Sequence, residues 1–221
     1  MILAGQVLVR DVPVTKAGTK VPLEAPIRIR GESVRFVSRG GEKLDAALSH
    51  FQITLSGKVV IDVGSSTGGF TDCMLQRGAL LVYAVDVGTQ QLDYKMRKDK
   101  RVVVMEETHA VSLKPSLFDP RPSFAAIDVS FISLRKILEP VCAVLLAPFE
   151  ILMLVKPQFE LGREFVGKGG VVKDDAHQSL AIQLVAEFAV EKRLTVQGSC
   201  PSVLRGAKKG NQEYFLFAKR D

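Results

Sequence analysis

The sequence predicts an α/β fold built as a doubly wound, mostly parallel sheet, and three observations carry that reading. From Glu42 onward, strand-length apolar runs alternate with helix-period segments. A glycine-rich turn joins one strand to the next helix in the run VIDVGSSTGGF, Val60 to Phe70. The chain closes on two strand-like runs, LTVQG and EYFLFAK, which read as a hairpin.

Residues 1–33 show only short β-like pieces, QVLVRDVPV, KAGTKV and IRIRG, and Gly31 to Arg39 reads as a connector. A small β-rich appendage is expected there. The period changes at Glu42: Leu44, Ala47, Leu48 and Phe51 recur at i, i+3, i+4 and i+7, one face of an amphipathic helix. Strands are expected at Lys58–Val63, Leu80–Val85, Val102–Met105, Phe124–Phe131 and Ile151–Val155, the last a fully buried run. The helix after the glycine turn carries Phe70, Cys73 and Met74 inward, with Gly78 at its C-terminal cap. A helix opened by Ser133 places Leu134, Ile137, Leu138, Val141 and Leu145 on one face, and Pro140 should kink it. Another, capped by Asp174 or Asp175, should turn Leu180, Leu184, Val185 and Phe188 inward.

The 221 residues leave room for one α/β domain and a small appendage. No apolar run reaches the roughly 18 residues needed to cross a bilayer, and the N-terminus lacks a signal-peptide pattern. Three widely spaced cysteines, Cys73, Cys142 and Cys200, form no CxxC pair, so neither a zinc site nor a disulfide framework is expected. Cys73 and Cys142 read as core packing, and a reducing cytoplasmic compartment fits. The net charge of +6 suits a polyanionic partner such as nucleic acid. Seven Lys or Arg against four acids in residues 1–42, and Arg205, Lys208 and Lys209 near the C-terminus, suit either phosphate contacts or solvated surface.

The glycine turn carries the first chemical reading. Glycines permit positive φ and close backbone approach, and a helix N-terminus presents free N–H groups. The spacing is D-x-G-x-x-x-G-G, with Asp62 two residues before Gly64, and it resembles motif I of S-adenosylmethionine-dependent methyltransferases. The turn and its flanks, Asp62, Gly64, Ser65, Ser66, Gly68, Gly69 and Phe70, are the candidate cofactor cradle. Asp86 ends the next strand, 22 residues beyond Gly64, where a carboxylate can accept ribose hydroxyls; Val87 adjoins it.

In an open parallel sheet, ligands collect at the carboxyl ends of the strands. Asp128 in AIDVSF and Lys156 in LMLVKPQFE fall there on the other side of the switch point. A lysine straight after an apolar run, with a carboxylate beside it, can handle a substrate proton or form a structural ion pair.

The ordered segments SRGGEKL (Ser38 to Leu44), DVGSSTGGF, AVDVG, DVSFISL, LVKPQFE, GKGGVVKD (Gly167 to Asp174) and GNQE (Gly210 to Glu213) resemble the TlyA family, a branch of the FtsJ-like RNA 2′-O-methyltransferases. The resemblance runs from Val37 to nearly the end. It implies a class I, Rossmann-like methyltransferase over residues 34–221, with a mostly parallel seven-stranded sheet. It also implies S-adenosylmethionine as cofactor and ribosomal RNA or ribosomal subunits as partner with cytidine as target; from the missing apolar run no membrane partner is expected, and the cysteine pattern fits a cytoplasmic setting. By motif position, its Lys-Asp-Lys-Glu tetrad falls on Lys43, Asp128, Lys156 and Glu213. A ribose 2′-hydroxyl is a poor nucleophile, so a lysine oriented by carboxylates and a second cation suits its activation.

Two departures accompany the resemblance. Family members usually carry an S4-type RNA-binding domain, and residues 1–33 resemble only its back half. After the third strand the family would have something near Asn-Ala-Arg, where this chain has His109, Ala110 and Val111. His109 shows no ligand spacing to His50 or His177. Three other readings compete. A haemolysin or pore-former, a label long attached to the family, would need a membrane-active segment. A non-catalytic RNA- or ribosome-binding module would not need the tetrad. An amine N-methyltransferase would carry Asn or Asp before Pro-Pro-aromatic where this chain has Asp-Val-Ser-Phe.

Overall fold

A computed structural model describes residues 2–29, 35–206 and 210–221. Lys208 and Lys209 of the expected basic cluster, and part of the expected connector, lie outside the described residues. The chain divides into two compact units, Met1–Arg35 and Phe36–Asp221.

In the first unit, β1 (Val7–Val9), β2 (Val12–Val14) and β3 (Ile27–Ile29) form an antiparallel sheet in the order β2-β1-β3. Arg10 and Asp11, both at positive φ, make the two-residue turn between β1 and β2. The expected strand at KAGTKV is instead turn and irregular chain.

The second unit carries α1 (Gly40–His50), β4 (Val59–Val63), α2 (Gly69–Gln76), β5 (Leu81–Val85), α3 (Tyr94–Lys98), β6 (Val102–Met105), β7 (Phe124–Ile127), α4 (Leu138–Val144), β8 (Phe149–Val155), α5 (Pro157–Glu160), α6 (Asp175–Glu191), β9 (Thr195–Pro201) and β10 (Tyr214–Arg220). Its seven strands run β6-β5-β4-β7-β8-β10-β9. The first five are parallel, and β10 is antiparallel to both neighbours. The strand period of two sends alternate residues to two cores. Ile61, Tyr83, Ile127 and Met153 pack on one face with Val141, Ala181 and Val185. Val60, Val82, Phe124 and Leu154 pack on the other with Leu44, Leu48, Cys73 and Met74. Burial on both faces is why these strands read as continuous apolar runs.

Four expectations change. The fourth strand ends at Ile127 rather than Phe131, and Phe131 adopts φ +65°. The helix opened by Ser133 is split into a 3₁₀ turn, Leu134–Lys136, and α4. Pro140 falls in the first turn of α4, where its missing N–H costs little, so it starts a helix rather than kinking one. Leu145 lies beyond α4 and is still buried. In α6 the inward face is Gln178, Ala181, Val185 and Ala189, while Leu180, Leu184 and Phe188 are half-buried on its flanks. Small residues at 181 and 189 let the helix backbone lie close to the sheet, and the larger side chains straddle the contact.

Candidate active site

The parallel strands end together along one edge, and the functional side chains converge there. Val60 to Val63 are buried on a central strand, and the chain must then turn without a side chain. Gly64 has φ +90°, and a Cβ on it would lie 2.2 Å from the carbonyl oxygen of Asp128. Only glycine lets the ends of β4 and β7 come so close. Gly69 is constrained too, since a Cβ there would meet Ser38 Oγ at 2.2 Å.

Asp86 closes the turn. Its two carboxylate oxygens accept the backbone N–H groups of Ser66, at 2.7 Å, and Gly88, at 2.8 Å. The carboxylate therefore fixes the glycine loop against the end of β5 and keeps lone pairs for a further donor.

Two cavities adjoin the turn. One, about 380 Å³, is lined by Asp86, Val87, His109, Ala110 and Val111 among others. The segment that departs from the family pattern thus forms part of its wall. The other, about 580 Å³, is lined by Lys43, Ser65, Gly69, Phe70, Lys156 and Glu213 among others. Gly64, Ser66, Asp128 and Ser130 line both, so the cavities meet at the ends of β4 and β7.

The four tetrad positions come together as two ion pairs. Lys156, straight after β8, has its ammonium 2.5 Å from Asp128 Oδ1. Lys43, in the first turn of α1, reaches Glu213 Oε2 at 2.5 Å. Both lysine side chains are nearly buried, at 10% and 12% exposure. Topology explains the convergence. β10 runs antiparallel to β8 with Tyr214 opposite Val155, so the residue before β10 arrives where the residue after β8 departs.

Two candidate cofactor residues sit elsewhere. Asp62 is wholly buried and lines neither cavity. Its Oδ2 accepts the Thr71 hydroxyl at 2.6 Å, and burial pushes its carboxyl up to about 7. Asp62 therefore ties β4 to α2 from beneath the turn. Gly68, at φ +92°, packs against Leu92 and Met96 and also lines neither cavity.

The sequence reading missed several site residues. Ser130 Oγ accepts a hydrogen bond from Lys156 Nζ at 3.0 Å. Glu160 is buried; its carboxylate accepts from the Ser133 hydroxyl at 2.6 Å and the Leu134 N–H at 2.8 Å. It joins the loop after β7 to the turn after β8, and burial raises its pKa against those hydrogen bonds. On these loops Phe131, 91% exposed, meets Phe159 at 5.3 Å between ring centroids. For Phe131, Phe159 and Glu160 the available signal was an aromatic or acid four or five residues past a strand end; Ser130 offered none.

Strand order, glycine turn and paired cavities define the class: this is an S-adenosylmethionine-dependent methyltransferase. A solved methyltransferase of that cofactor dependence from Mesorhizobium loti has the same fold at 12% identity and a TM-score of 0.59, covering 79% of this chain and 96% of its own. The model of the FtsJ-like methyltransferase family matches residues 36–220, and the chain belongs to that family. It is 40% identical to the 16S/23S rRNA (cytidine-2′-O)-methyltransferase TlyA of Mycobacterium tuberculosis, over 99% of this chain and 82% of the relative. It is 41% identical to hemolysin A of Brachyspira hyodysenteriae, over 97% and 89%. A candidate hemolysin from Streptococcus thermophilus has a solved structure with a TM-score of 0.83 at 42% identity, covering 99% of this chain and 80% of its own.

Proposed function

We propose that this chain methylates the 2′-hydroxyl of cytidine in ribosomal RNA, with the RNA or an assembled ribosomal subunit as its cytoplasmic partner. The observation that carries the reading is the place of the Lys156–Asp128 pair, on the boundary where the two cavities meet. The relatives supply the substrate class, since TlyA of Mycobacterium tuberculosis is named a 16S/23S rRNA (cytidine-2′-O)-methyltransferase.

The residues fit S-adenosylmethionine. The smaller cavity offers apolar walls, Val63, Val87 and Ile132, beside the Asp86 carboxylate, as a nucleoside requires. Bound, the cofactor supplies an electrophilic methyl group on a sulfonium. Asp86, with lone pairs left beyond those taken by the Ser66 and Gly88 N–H groups, would accept its ribose hydroxyls, and Gly64 keeps the floor of the junction open. The larger cavity takes the target nucleoside. Lys156 Nζ, held by Asp128 and Ser130, would orient the 2′-hydroxyl and stabilise charge on its oxygen as the proton passes to water in the open cavity. Lys43, held by Glu213, places a second cation in the same cavity. Phe159 on the larger cavity meets Phe131 on the smaller, and the two rings offer an aromatic platform between the cavities for a splayed base. The three-stranded unit at residues 1–33, with its basic excess, is read as an S4-like RNA-contacting appendage.

Incubation with radiolabelled S-adenosylmethionine and unmethylated ribosomal subunits tests the reading. Label should enter RNA with the wild type and fall at least 100-fold with Lys156→Ala, while cofactor affinity stays within a few-fold. Cofactor binding without RNA labelling would overturn it. Haemolysis by the purified protein, undiminished in Lys156→Ala, would favour the activity named for the hemolysin relatives. Among the described residues no helix is long and apolar enough to cross a membrane.

A further inference from the structure

The wall of the larger cavity opposite the glycine turn is built from two chain segments with little regular structure. One is the loop Gly167 to Val172, with Gly169 and Gly170 at positive φ and a single bridge between Gly167 and Val171. The other is Gly210 to Glu213, which feeds into β10. Neither is part of a β ladder, so their polar backbone groups need other partners.

Asn211 supplies them. Its side chain is 7% exposed. Its Oδ1 accepts the Val172 N–H at 2.7 Å, and its Nδ2 donates to the Gly170 carbonyl at 2.8 Å. Only one orientation of the carboxamide satisfies both, because the N–H needs an acceptor and the carbonyl a donor. The two groups belong to residues i and i+2 of the loop, so the carboxamide stands in for a neighbouring strand. The contact is extended by Gln178, whose Nε2 donates to the Val172 carbonyl at 3.0 Å and whose Oε1 accepts from the Tyr214 hydroxyl at 2.5 Å. The Asn211 carbonyl accepts the Gly206 N–H at 3.1 Å, and a Cβ on Gly206 would lie 3.1 Å from Glu213 Oε1. Asn211 and Glu213 are two residues apart, both buried, and both line the cavity. Glu213 in turn holds Lys43.

We propose that Asn211 is a positioning residue for the methyl-transfer reaction: it fastens the Gly167–Val172 loop to the segment carrying Glu213, and so sets where Glu213 holds Lys43 in the acceptor cavity. The inference rests on the 2′-O-methyltransferase reading above. Asn211 touches neither substrate nor cofactor in this role; it acts through Glu213.

A double-mutant cycle on the full chain tests it. Single-turnover methyl transfer at saturating ribosomal subunits is measured for the wild type, Asn211→Ala, Glu213→Gln and the double variant, with cofactor affinity measured in parallel. Asn211→Ala should slow transfer about 10- to 100-fold with cofactor affinity within twofold. In the Glu213→Gln background it should cost less than threefold more. Equal losses in both backgrounds, or parallel loss of cofactor binding, would overturn the proposal and leave Asn211 a structural residue. If Asn211→Ala does not fold, Asn211→Asp replaces it in the cycle, since it keeps the acceptor for Val172 and loses the donor to Gly170. A wild type that transfers no methyl overturns the functional reading and this proposal with it; wild-type transfer with additive losses overturns this proposal alone.

Discussion

Lys156 Nζ lies 2.5 Å from Asp128 Oδ1 and 3.0 Å from Ser130 Oγ, so a carboxylate and a hydroxyl together hold the ammonium. The carboxylate supplies the opposite charge and the hydroxyl a second acceptor. An ammonium has three donors. One on Asp128 and one on Ser130 leave the third to meet an incoming hydroxyl.

Removing that charge tests the pair. Asp128→Asn keeps the shape and loses the field that holds Lys156. Transfer to RNA should fall about 100-fold with cofactor affinity changed only a few-fold, read by single-turnover labelling beside a binding titration. Cofactor affinity lost in step with rate would place Asp128 in the cofactor site instead.

Gly64→Ala places a methyl group 2.2 Å from a backbone carbonyl, at a φ that L residues rarely adopt. The ends of β4 and β7 must separate. We expect a destabilisation of about 1–3 kcal/mol and at least a tenfold weaker hold on the cofactor. Thermal unfolding and calorimetric titration check both, and an unchanged protein would mean the turn can rearrange.

Asp62 makes stability depend on pH. Its folded-state pKa stands at about 7, against 3.8 for an ordinary aspartate, because burial disfavours the anion. Between those values the folded chain holds a proton that the unfolded chain has lost, so stability present at low pH is lost as pH rises through 7. Relative to Asp62→Asn, which does not titrate, the wild type should lose stability on the order of 4 kcal/mol between pH 4 and 8. Urea unfolding across that range reads the difference. A difference independent of pH would show the carboxyl ionised throughout.

Phe131 is 91% exposed in a left-handed conformation, so truncation removes little from the core. Phe131→Ala should leave the unfolding midpoint unchanged, and because Phe131 also lines the smaller cavity, cofactor affinity is titrated alongside and should fall no more than a few-fold. Stacking of a base on an aromatic ring contributes about 1–3 kcal/mol, so the KM for RNA should rise roughly tenfold or more. An unchanged KM would remove the platform from the site.

The sequence by itself determined the parallel strands, the glycine turn and the helix packed behind it. Those features rest on local periodicity and on φ values that only certain residues tolerate, and both are written in adjacent positions. It also carried Lys43, Asp128, Lys156 and Glu213 through family motifs. It did not carry their pairing, Lys156 with Asp128 and Lys43 with Glu213 across 170 residues of chain. That outcome follows from strand order and from the register of an antiparallel strand inserted beside a parallel one. It also did not show that Asp62 lies beneath the turn rather than in the cavity, that Pro140 starts a helix, or that α6 turns Ala181 rather than Leu184 inward. Tertiary structure decided these because each depends on how close two distant backbones can come, and a linear pattern of side chains holds no measure of that distance.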